Sequence, residues 1–461
     1  MAGWAPLKQL IEEEIKQRRD EGCRVDSFDE RIEAIDSHNR EELMRVYEEL
    51  TALKPISYPY DEPNELEAIR QLRPEGPRLL SETYSEEEWR DRFYGAWLGR
   101  SIGCALGKPL ESASFMFGSE DSPGWQNVYR WFKGADAWPI TGYTPGSSTA
   151  SEEFGIALAG FGLQSTRERI QYMETDDDIR YTVLGLIMLE RKGRDWDSWD
   201  IGKMWHELLT YQQVCTAETQ AYLNFTQVTS HYGADAEKPE DWEEKKHWVR
   251  TYLNPYREWI GAQIRVDGFA YGAAGNPELA AEFAWRDASF SHIGNGIYGE
   301  MFCGAMIAAA FAESDPEELV RIGLSEIPSN CKLAHDIRTA VEIAKDAKDE
   351  LELVNRIWEA FKHYHPVHTN NNAALVAASL IFAKGDFNTA IAVSVLGGWD
   401  TDCNGATVGS IMGAALGSKA LPEHWVKPLN DQLYSAVTGF HPIAISECAE
   451  RSYQVFKKIQ G

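Results

Sequence analysis

The chain has 461 residues, 72 of them acidic and 45 basic, so its net charge is −27 at pH 7. This charge repels polyanions, so nucleic acid is excluded as a general partner. Hydrophobic residues make up 43% and charged residues 25% of the chain. These proportions are typical of a folded globular protein and exclude disorder throughout.

Cysteine usage and the apolar pattern predict the compartment. The seven cysteines are an odd number and form no C-x-x-C pair, which favours a reduced, cytoplasmic location. The amino terminus turns acidic where a signal peptide would be apolar, and no segment reaches the ~18 apolar residues of a membrane span. We therefore expect neither export nor membrane insertion.

The sequence of residues 1–84 indicates a helical extension that is followed by a linker. Apolar residues recur at helical spacing, as in Leu7, Leu10, Ile11 and Ile15. Several prolines between positions 55 and 77 then prevent continuous helix. We place the boundary of the main domain, residues 85–461, directly after this stretch.

The hydrophobic pattern of the main domain predicts an all-α fold. Apolar segments with helical spacing follow one another, and no segment shows a sustained alternation of apolar and polar residues. Two of these helices carry a glycine at every fourth position, in residues 95–107 and 405–417. Glycine costs a helix roughly 1 kcal/mol per residue relative to alanine, so each stripe predicts the close approach of another backbone.

Two segments, residues 115–149 and 211–260, are rich in aromatic residues among turn-forming ones. Aromatic side chains in irregular segments often line pockets for flat ligands. They also pack loops onto a protein body, and the sequence leaves both interpretations open.

The first acidic motif, Thr175-Asp176-Asp177-Asp178, precedes an apolar helix. Threonine at an N-cap and carboxylates in a first turn stabilise a helix, which is one explanation. However, three adjacent carboxylates repel one another unless a cation offsets them. Metal ligation and helix capping are therefore both open.

The second acidic motif, Asp400-Thr401-Asp402, lies where one apolar helix ends and the second glycine-striped helix begins. Its D-x-D spacing projects two carboxylates from one turn. Oxygen ligands of this kind suit a hard cation, Mg²⁺ or possible replacements such as Mn²⁺ or Ca²⁺.

These motifs together resemble those of the ADP-ribosylglycohydrolase family. Residues 103–111, GCALGKPLE, are similar to the family's G-D-A-L-G-x-P-x-E. Thr175-Asp176-Asp177 resembles T-D-D-T, and Asp400-Thr401-Asp402 resembles G-G-D-T-D-T. The three motifs occur in the family's order, over about residues 86–450.

The resemblance implies an all-α, orthogonally packed helix bundle with a di-metal site, here preceded by the helical extension. It implies two Mg²⁺ ions. The ligands carried over by position are Thr175, Asp176, Asp177, Asp400 and Asp402. The candidates for general acid or base are Glu111, Asp177 and Asp178.

Three departures from the family pattern affect this centre: Cys104, Asp178 and Cys403 replace Asp, Thr and Thr. A thiol is a poor ligand for Mg²⁺, so we expect one complete metal site and one that lacks a ligand. The departures also favour a divergent branch with another glycosidic substrate.

Substrate binding is assigned to residues near the motifs and in the aromatic segments. His292, after Ser291, resembles the Ser-His that opens a helix in several family members, and it could equally cap that helix. Asn371 belongs to the polar run 368–372, for which we favour helix capping over contact with substrate hydroxyls. The complete set is Trp138, His292, Asn295, Asn371 and Trp399.

Three functions remain open. The first is Mg²⁺-dependent hydrolysis of the anomeric bond of an ADP-ribosyl or related ribofuranosyl substrate, either a small molecule or linked to protein. The second is hydrolysis of a non-nucleotide furanoside or an N-glycoside on the same fold. The third is a non-catalytic ADP-ribose-binding or structural role. The sequence leaves the oligomeric state open.

Overall fold

The computed structural model describes residues 3–56, 58–119 and 122–460. Positions 1, 2 and 57 of the predicted extension, and positions 120 and 121 of the first aromatic segment, lie outside that part of the chain. The described residues are mostly helical, with one short antiparallel strand pair. The predicted all-α class is confirmed.

The helices follow one another along the whole described chain. The α-helices are α1 (Leu7–Asp20), α2 (Phe28–Ala34), α3 (Arg40–Thr51), α4 (Leu66–Leu72), α5 (Glu86–Gly107), α6 (Ala113–Met116), α7 (Gly124–Gly134), α8 (Ala150–Phe154), α9 (Asp177–Lys192), α10 (Ser198–Leu208), α11 (Thr216–Thr229), α12 (Trp242–Thr251), α13 (Asp267–Gly272), α14 (Pro277–Ala288), α15 (Gly294–Ala310), α16 (Pro316–Leu324), α17 (Lys332–Asp346), α18 (Glu350–Phe361), α19 (Thr369–Ala383), α20 (Phe387–Leu396), α21 (Thr401–Leu416), α22 (Glu423–Val426) and α23 (Ile445–Gln460). The strands are β1 (Gln432–Leu433) and β2 (Ile443–Ala444). The 3₁₀ helices span Lys108–Leu110, Gly160–Ser165, Tyr211–Gln213, Gly233–Asp235, Gln263–Arg265, Ser418–Ala420 and Lys427–Leu429.

The two glycine stripes pack against each other. A Cβ at Gly99 would lie 2.0 Å from the carbonyl oxygen of Gly409, and a Cβ at Gly409 would lie 2.0 Å from that of Gly99. Gly103 and Gly405 meet in the same way further along. The helices α5 and α21 are therefore antiparallel, and the predicted close backbone approach is confirmed. The carboxyl end of α5 meets the amino end of α21.

A buried arginine on α5 fixes the neighbouring helix α9. The Nε of Arg100 donates to Thr182 Oγ1 at 2.6 Å, and its NH2 donates to the carbonyl oxygen of Asp178 at 3.0 Å. Its NH1 lies 2.8 Å from Asp267 Oδ2 at the start of α13. Arg100 therefore holds the first turn of α9 beside the α5–α21 pair.

The extension packs on the main domain through an apolar cluster. Residues of α1 and α3, such as Ile11 and Leu50, share this cluster with Ala217, Leu253 and Tyr256 of the second aromatic segment. The amphipathic pattern of α1 explains this contact, because its apolar stripe packs on α2, α3 and the body.

An ion pair anchors the same helix to the domain. Arg257 is buried, and its guanidinium lies 2.6 Å from Glu14 Oε2 and 2.7 Å from Glu21 Oε1. Gln17 donates to Glu258 Oε2 at 2.7 Å. The extension is thus joined to the domain by both apolar and charged contacts.

Among the helices of the described residues, none combines the length and apolar character needed to cross a bilayer.

Candidate active site

Carboxylate side chains from the turn after α5 and from the start of α21 lie close together at one end of the helix pair. Ligand oxygens of Glu111, Asp400 and Asp402 lie within 4.8 Å of one another. Glu111 follows the 3₁₀ turn that ends α5, and the two aspartates begin α21. The backbone contact between the glycine stripes is what brings these side chains together, although they are almost 300 positions apart in sequence.

The start of α9 adds three more carboxyl groups. Oxygens of Asp176, Asp177 and Asp178 also lie within 4.8 Å of one another. Asp402 connects the two groups, since its carboxylate lies within the same distance of Asp178 and Cys403. Four of the five predicted ligands, all of them aspartates, therefore converge on one centre.

Two carboxylate oxygens in this centre are buried without a donor. Neither Asp400 Oδ1 nor Asp402 Oδ1 has a hydrogen-bond partner among the described residues. The two side chains are 4% and 2% exposed. An unpaired buried carboxylate oxygen is costly, and a bound cation would satisfy both. The donor chemistry at Asp400, Asp402 and Glu111 thus fits a hard divalent ion.

Thr175, the fifth predicted ligand, uses its hydroxyl differently. Its Oγ1 accepts a hydrogen bond from Arg180 at 2.9 Å and donates to the carbonyl oxygen of Ser435 at 3.3 Å. The hydrogen bonds of this hydroxyl are therefore made to Arg180 and Ser435, and not to the carboxylates of the acidic centre.

Positive charge reaches the centre from α5 and the turn after it. Lys108 Nζ lies 3.0 Å from Asp176 Oδ2 and also donates to the carbonyl oxygen of Thr175. Arg100 NH2 lies 3.1 Å from Asp178 Oδ1. These two cations are outnumbered by the six carboxyl groups of the centre.

The charges perturb the carboxyl pKa values in opposite directions. Burial tends to raise the pKa of Asp176, but Lys108 and Arg180 outweigh it and hold that pKa below its usual range. Burial and the neighbouring Asp176 raise the pKa of Asp177 to about 7. Burial and Asp400 raise the pKa of Glu111.

Two thiols border the acidic centre. Cys403 donates to Asp178 Oδ2 at 3.1 Å. The sulfur of Cys104 lies within 4.8 Å of ligand oxygens of Asp176 and Asp402. Both positions are departures from the family pattern noted above, and both thiols border the carboxylates of the acidic centre.

A cavity of about 390 Å³ opens onto this centre. Glu111, Asp177, Asp400 and Asp402 form its floor. The wall comes from other parts of the chain. It includes Trp4, Gln9 and Glu13 of the extension, Glu218 of α11, and Tyr256, Trp259 and His365.

Aromatic rings shape one side of the wall. The rings of Trp259 and His365 stack with centroids 4.2 Å apart and planes 11° apart, and Tyr256 lies 4.6 Å from Trp259. Burial, and to a smaller extent Lys16, lowers the pKa of His365 to about 4. The histidine is therefore neutral at pH 7.

The wall also has a charge preference. Among the described residues that line the cavity, none is a lysine or an arginine. Glu13 and Glu218 also line the wall, but each is paired with a cation outside the lining, Lys16 Nζ at 2.9 Å and Arg265 NH1 at 2.6 Å. The described lining therefore offers an anion no cationic side chain.

Several of these wall residues were not predicted from the sequence: Trp4, Gln9, Glu13, Glu218 and His365. Their contribution depends on how distant segments pack, which residue spacing does not encode. The aromatic content of segment 211–260 did indicate a pocket, and Trp259 and Tyr256 lie in it.

The five predicted substrate-binding residues, all described by the structure, do not line the cavity over the acidic centre. Trp138 borders a separate cavity of about 180 Å³ beside α20. Trp399 is buried and stacks on Trp358, with centroids 5.1 Å apart. These two rings pack against other protein groups.

The remaining three are buried polar side chains. His292 Nδ1 lies 2.8 Å from Ser291 Oγ, and Asn295 Nδ2 donates to Glu258 Oε1 at 2.8 Å. Asn371 is fully buried in the first turn of α19. Their predicted contact with substrate stays a prediction.

Asp178, predicted as a catalytic candidate, is also distant from solvent. It is completely buried and held between Arg100 and Cys403. Glu111 and Asp177, the other two candidates, reach the cavity.

A known family matches the sequence of most of the chain. A solved structure titled as an ADP-ribosylglycohydrolase-related protein complex resembles the chain with a TM-score of 0.45 and 18% sequence identity, covering 81% of this chain and 99% of that one. No curated protein sequence matches the chain. The sequence pattern of the ADP-ribosylglycohydrolase family matches residues 85–458. The chain therefore belongs to the ADP-ribosylglycohydrolase family, a metal-dependent family of glycosyl hydrolases.

Proposed function

We propose that the protein hydrolyses the anomeric bond of a furanosyl substrate whose leaving group is neutral or cationic, with help from a divalent cation such as Mg²⁺. The observation that carries this proposal is the cavity. It joins buried carboxylates without donors to a wall that lacks lysine and arginine among its described residues.

The metal would be held by Asp400, Asp402 and Glu111. When bound, a hard divalent cation polarises a water molecule and orients hydroxyl groups of the sugar. The unpaired oxygens of Asp400 and Asp402 lack a hydrogen-bond donor, and both residues line the cavity.

Asp177 would exchange protons with the substrate. It borders the cavity, as Glu111 does, but Glu111 would be bound to the ion as a carboxylate. A carboxylic acid at this place can protonate the leaving group as an oxocarbenium-like state forms. We give this role to Asp177 and not to Asp178, because Asp178 is enclosed by Arg100 and Cys403.

The wall would select the substrate. The stacked rings of Trp259 and His365 offer a flat apolar surface, and the described lining residues include no lysine or arginine. An anionic diphosphate would find no cationic side chain there. This supports a non-nucleotide furanoside or an N-glycoside over an ADP-ribosyl group.

ADP-ribosyl substrates form the second candidate, which family membership supports. In that case backbone N–H groups or the bound ion would have to neutralise the diphosphate.

A substrate panel tests the proposal. It contains ADP-ribosylated protein, small ADP-ribosides, neutral pentofuranosides and furanosyl N-glycosides with cationic leaving groups, each with and without EDTA. We expect turnover of a neutral or cationic furanoside that EDTA abolishes. Asp400→Asn should lower kcat/KM by about 10³-fold or more, because it weakens the metal site. Asp386→Asn, at the N-terminus of α20, is the matched control, since asparagine caps helices equally well.

The other outcomes decide between the alternatives. Release of product from ADP-ribosyl substrates alone would favour the second candidate. Turnover that resists both EDTA and Asp400→Asn would contradict the metal role. Binding of ADP-ribose without any turnover would favour a non-catalytic protein.

A further inference from the structure

The buried amino group of Lys108 divides the acidic centre into two unlike halves. The Lys108 side chain is 5% exposed, and its Nζ lies 3.0 Å from Asp176 Oδ2 and donates to the carbonyl oxygen of Thr175. A second carboxylate, Glu174, lies 4.0 Å away. Lys108 therefore places a full positive charge among the oxygens of the first acidic motif.

The Thr175 side chain in this half is also occupied. Arg180 donates to its hydroxyl at 2.9 Å, and the hydroxyl donates to Ser435. Asp176 accepts a further hydrogen bond from the backbone N–H of Asp178 at 3.1 Å. Thr175 and Asp176, which the resemblance offers as metal ligands, thus already have partners within the protein.

The other half has no such partners. Asp400 Oδ1 and Asp402 Oδ1 have no donor among the described residues, and Glu111 lies within 4.8 Å of both side chains. This half opens onto the cavity, whereas Lys108 is not part of the cavity lining.

The donor atoms that remain around the Lys108 half do not fit a second hard ion. They include the thiol of Cys104 beside Asp176 and the thiol of Cys403, which donates to Asp178; both thiols also lie within 4.8 Å of Asp402. Thiols are soft ligands and poor ones for Mg²⁺. A second Mg²⁺ would also have to displace an ammonium group that is already hydrogen-bonded and nearly excluded from water. The residues present fit one ion well and a second ion badly.

We propose that the centre binds a single divalent ion, between Glu111, Asp400 and Asp402, and that the ammonium group of Lys108 takes the electrostatic place of a second ion. The inference rests on the metal dependence in the proposed function. Lys108 neutralises and orients Asp176 but offers no open coordination position. It is therefore a positioning residue, and contact with substrate is left to the side that faces the cavity.

Binding of Mn²⁺ to the full-length, chelator-treated protein tests this inference independently of activity. Calorimetry gives the stoichiometry, and electron paramagnetic resonance detects magnetic coupling between two neighbouring Mn²⁺ ions. For the unaltered protein we expect about one ion and no coupling. Two coupled ions would overturn the inference and leave the proposed function intact. No bound ion would overturn both.

Two substitutions examine Lys108 itself. Lys108→Met and Lys108→Gln remove the charge, so each should allow a second ion and produce the coupling signal. Lys108→Arg keeps the charge and should stay at one ion. A folded Lys108→Met or Lys108→Gln protein that still binds one ion would overturn the role of Lys108. If neither variant folds, the stoichiometry of the unaltered protein still decides the question.

Lys246→Met provides a matched control. Lys246 is also a buried lysine paired with a glutamate, Glu243, but it belongs to α12 and does not contact the acidic centre. This variant should bind one ion, like the unaltered protein. A second ion in Lys246→Met would mean that loss of any buried lysine opens the centre, which would overturn the inference.

Discussion

The floor and the wall of the cavity are built by different means. The floor consists of carboxylates at helix ends, which α5 and α21 position through direct backbone contact. The wall consists mainly of aromatic and acidic side chains from the extension and from segment 211–260, together with His365. The floor carries the motifs shared with the family, whereas α1 lies outside the matched residues 85–458.

This difference suggests a division of labour. Backbone packing between glycine stripes leaves little freedom, so it suits groups whose separation decides whether an ion binds. Side chains on a docked helix can change without moving the floor. We infer that the floor sets the reaction and that the wall sets the substrate, and each of the following variants tests one side of that comparison.

The largest effect should come from the backbone contact under the floor. The Cβ of Gly409→Ala would lie 2.0 Å from the carbonyl oxygen of Gly99. Both groups belong to packed helix backbones, so the clash can be relieved only if the two helices move apart. We expect a loss of about 4–5 kcal/mol or more in the free energy of unfolding, measured by urea denaturation. Gly160→Ala has open space around the new methyl group and should change that energy by less than about 0.5 kcal/mol. Equal stability of the two variants would show that the helices can separate.

The next effect should come from the ion pair that holds the wall. Arg257→Ala leaves Glu14 buried without its partner, and Glu14 is only 1% exposed. Breaking a buried pair in this way costs about 3–5 kcal/mol. We expect α1 to become sensitive to limited proteolysis, with a higher KM but an EDTA-sensitive kcat that survives. Arg45→Ala removes an exposed arginine of α3 and should cost less than about 1 kcal/mol. A complete loss of kcat in Arg257→Ala would mean that floor and wall are not separable.

The floor could largely be predicted from the sequence, because its signals are local. A glycine at every fourth residue predicts a backbone partner, and acidic residues before apolar helices predict either helix caps or cation sites at helix N-termini. The structure adds that each stripe is the partner of the other. It also shows that Lys108 and Arg100 enter the acidic centre, which spacing along the chain does not reveal.

The wall could be predicted only in part, because it depends on contacts between distant segments. Arg257 meets Glu14 across more than 240 positions, and no periodic pattern connects them. Aromatic residues predicted the cavity lining correctly at some positions and not at others. Trp259 faces the cavity as the pocket interpretation predicted, whereas Trp399 stacks on Trp358 inside the protein. A ring gains about as much from burial in a core as from binding a ligand, so composition alone does not separate the two.

A smaller effect should come from the aromatic edge of the wall. Trp4 is 49% exposed and lines the cavity beside the floor. Trp4→Ala should raise KM by roughly tenfold, as expected when about 1.4 kcal/mol of ring contact is lost, and leave kcat within about twofold. Tyr232→Ala, which removes an exposed ring away from the cavity, should change neither constant. A lower kcat with unchanged KM in Trp4→Ala would mean that Trp4 acts in the catalytic step, together with the carboxylates of the floor, and not in substrate binding.

The smallest effect concerns the titration of His365 in the wall. Burial lowers its pKa from 6.5 to about 4 in the folded protein. Between these two values the unfolded chain binds a proton that the folded chain does not, so this contribution to stability is complete above pH 6.5 and is lost as the pH falls toward 4. His365→Phe keeps a ring on Trp259 but cannot titrate.

The unfolding free energies of the unaltered protein and His365→Phe should therefore differ by a constant amount above pH 6.5. Between pH 6.5 and 4 the unaltered protein should lose roughly 1–2 kcal/mol more than the variant, after allowance for partial exposure of the ring. Urea denaturation at a series of pH values measures this difference. A difference that stays constant down to pH 4 would mean that solvent reaches His365, and that the stacked pair with Trp259 is looser than the rest of the wall.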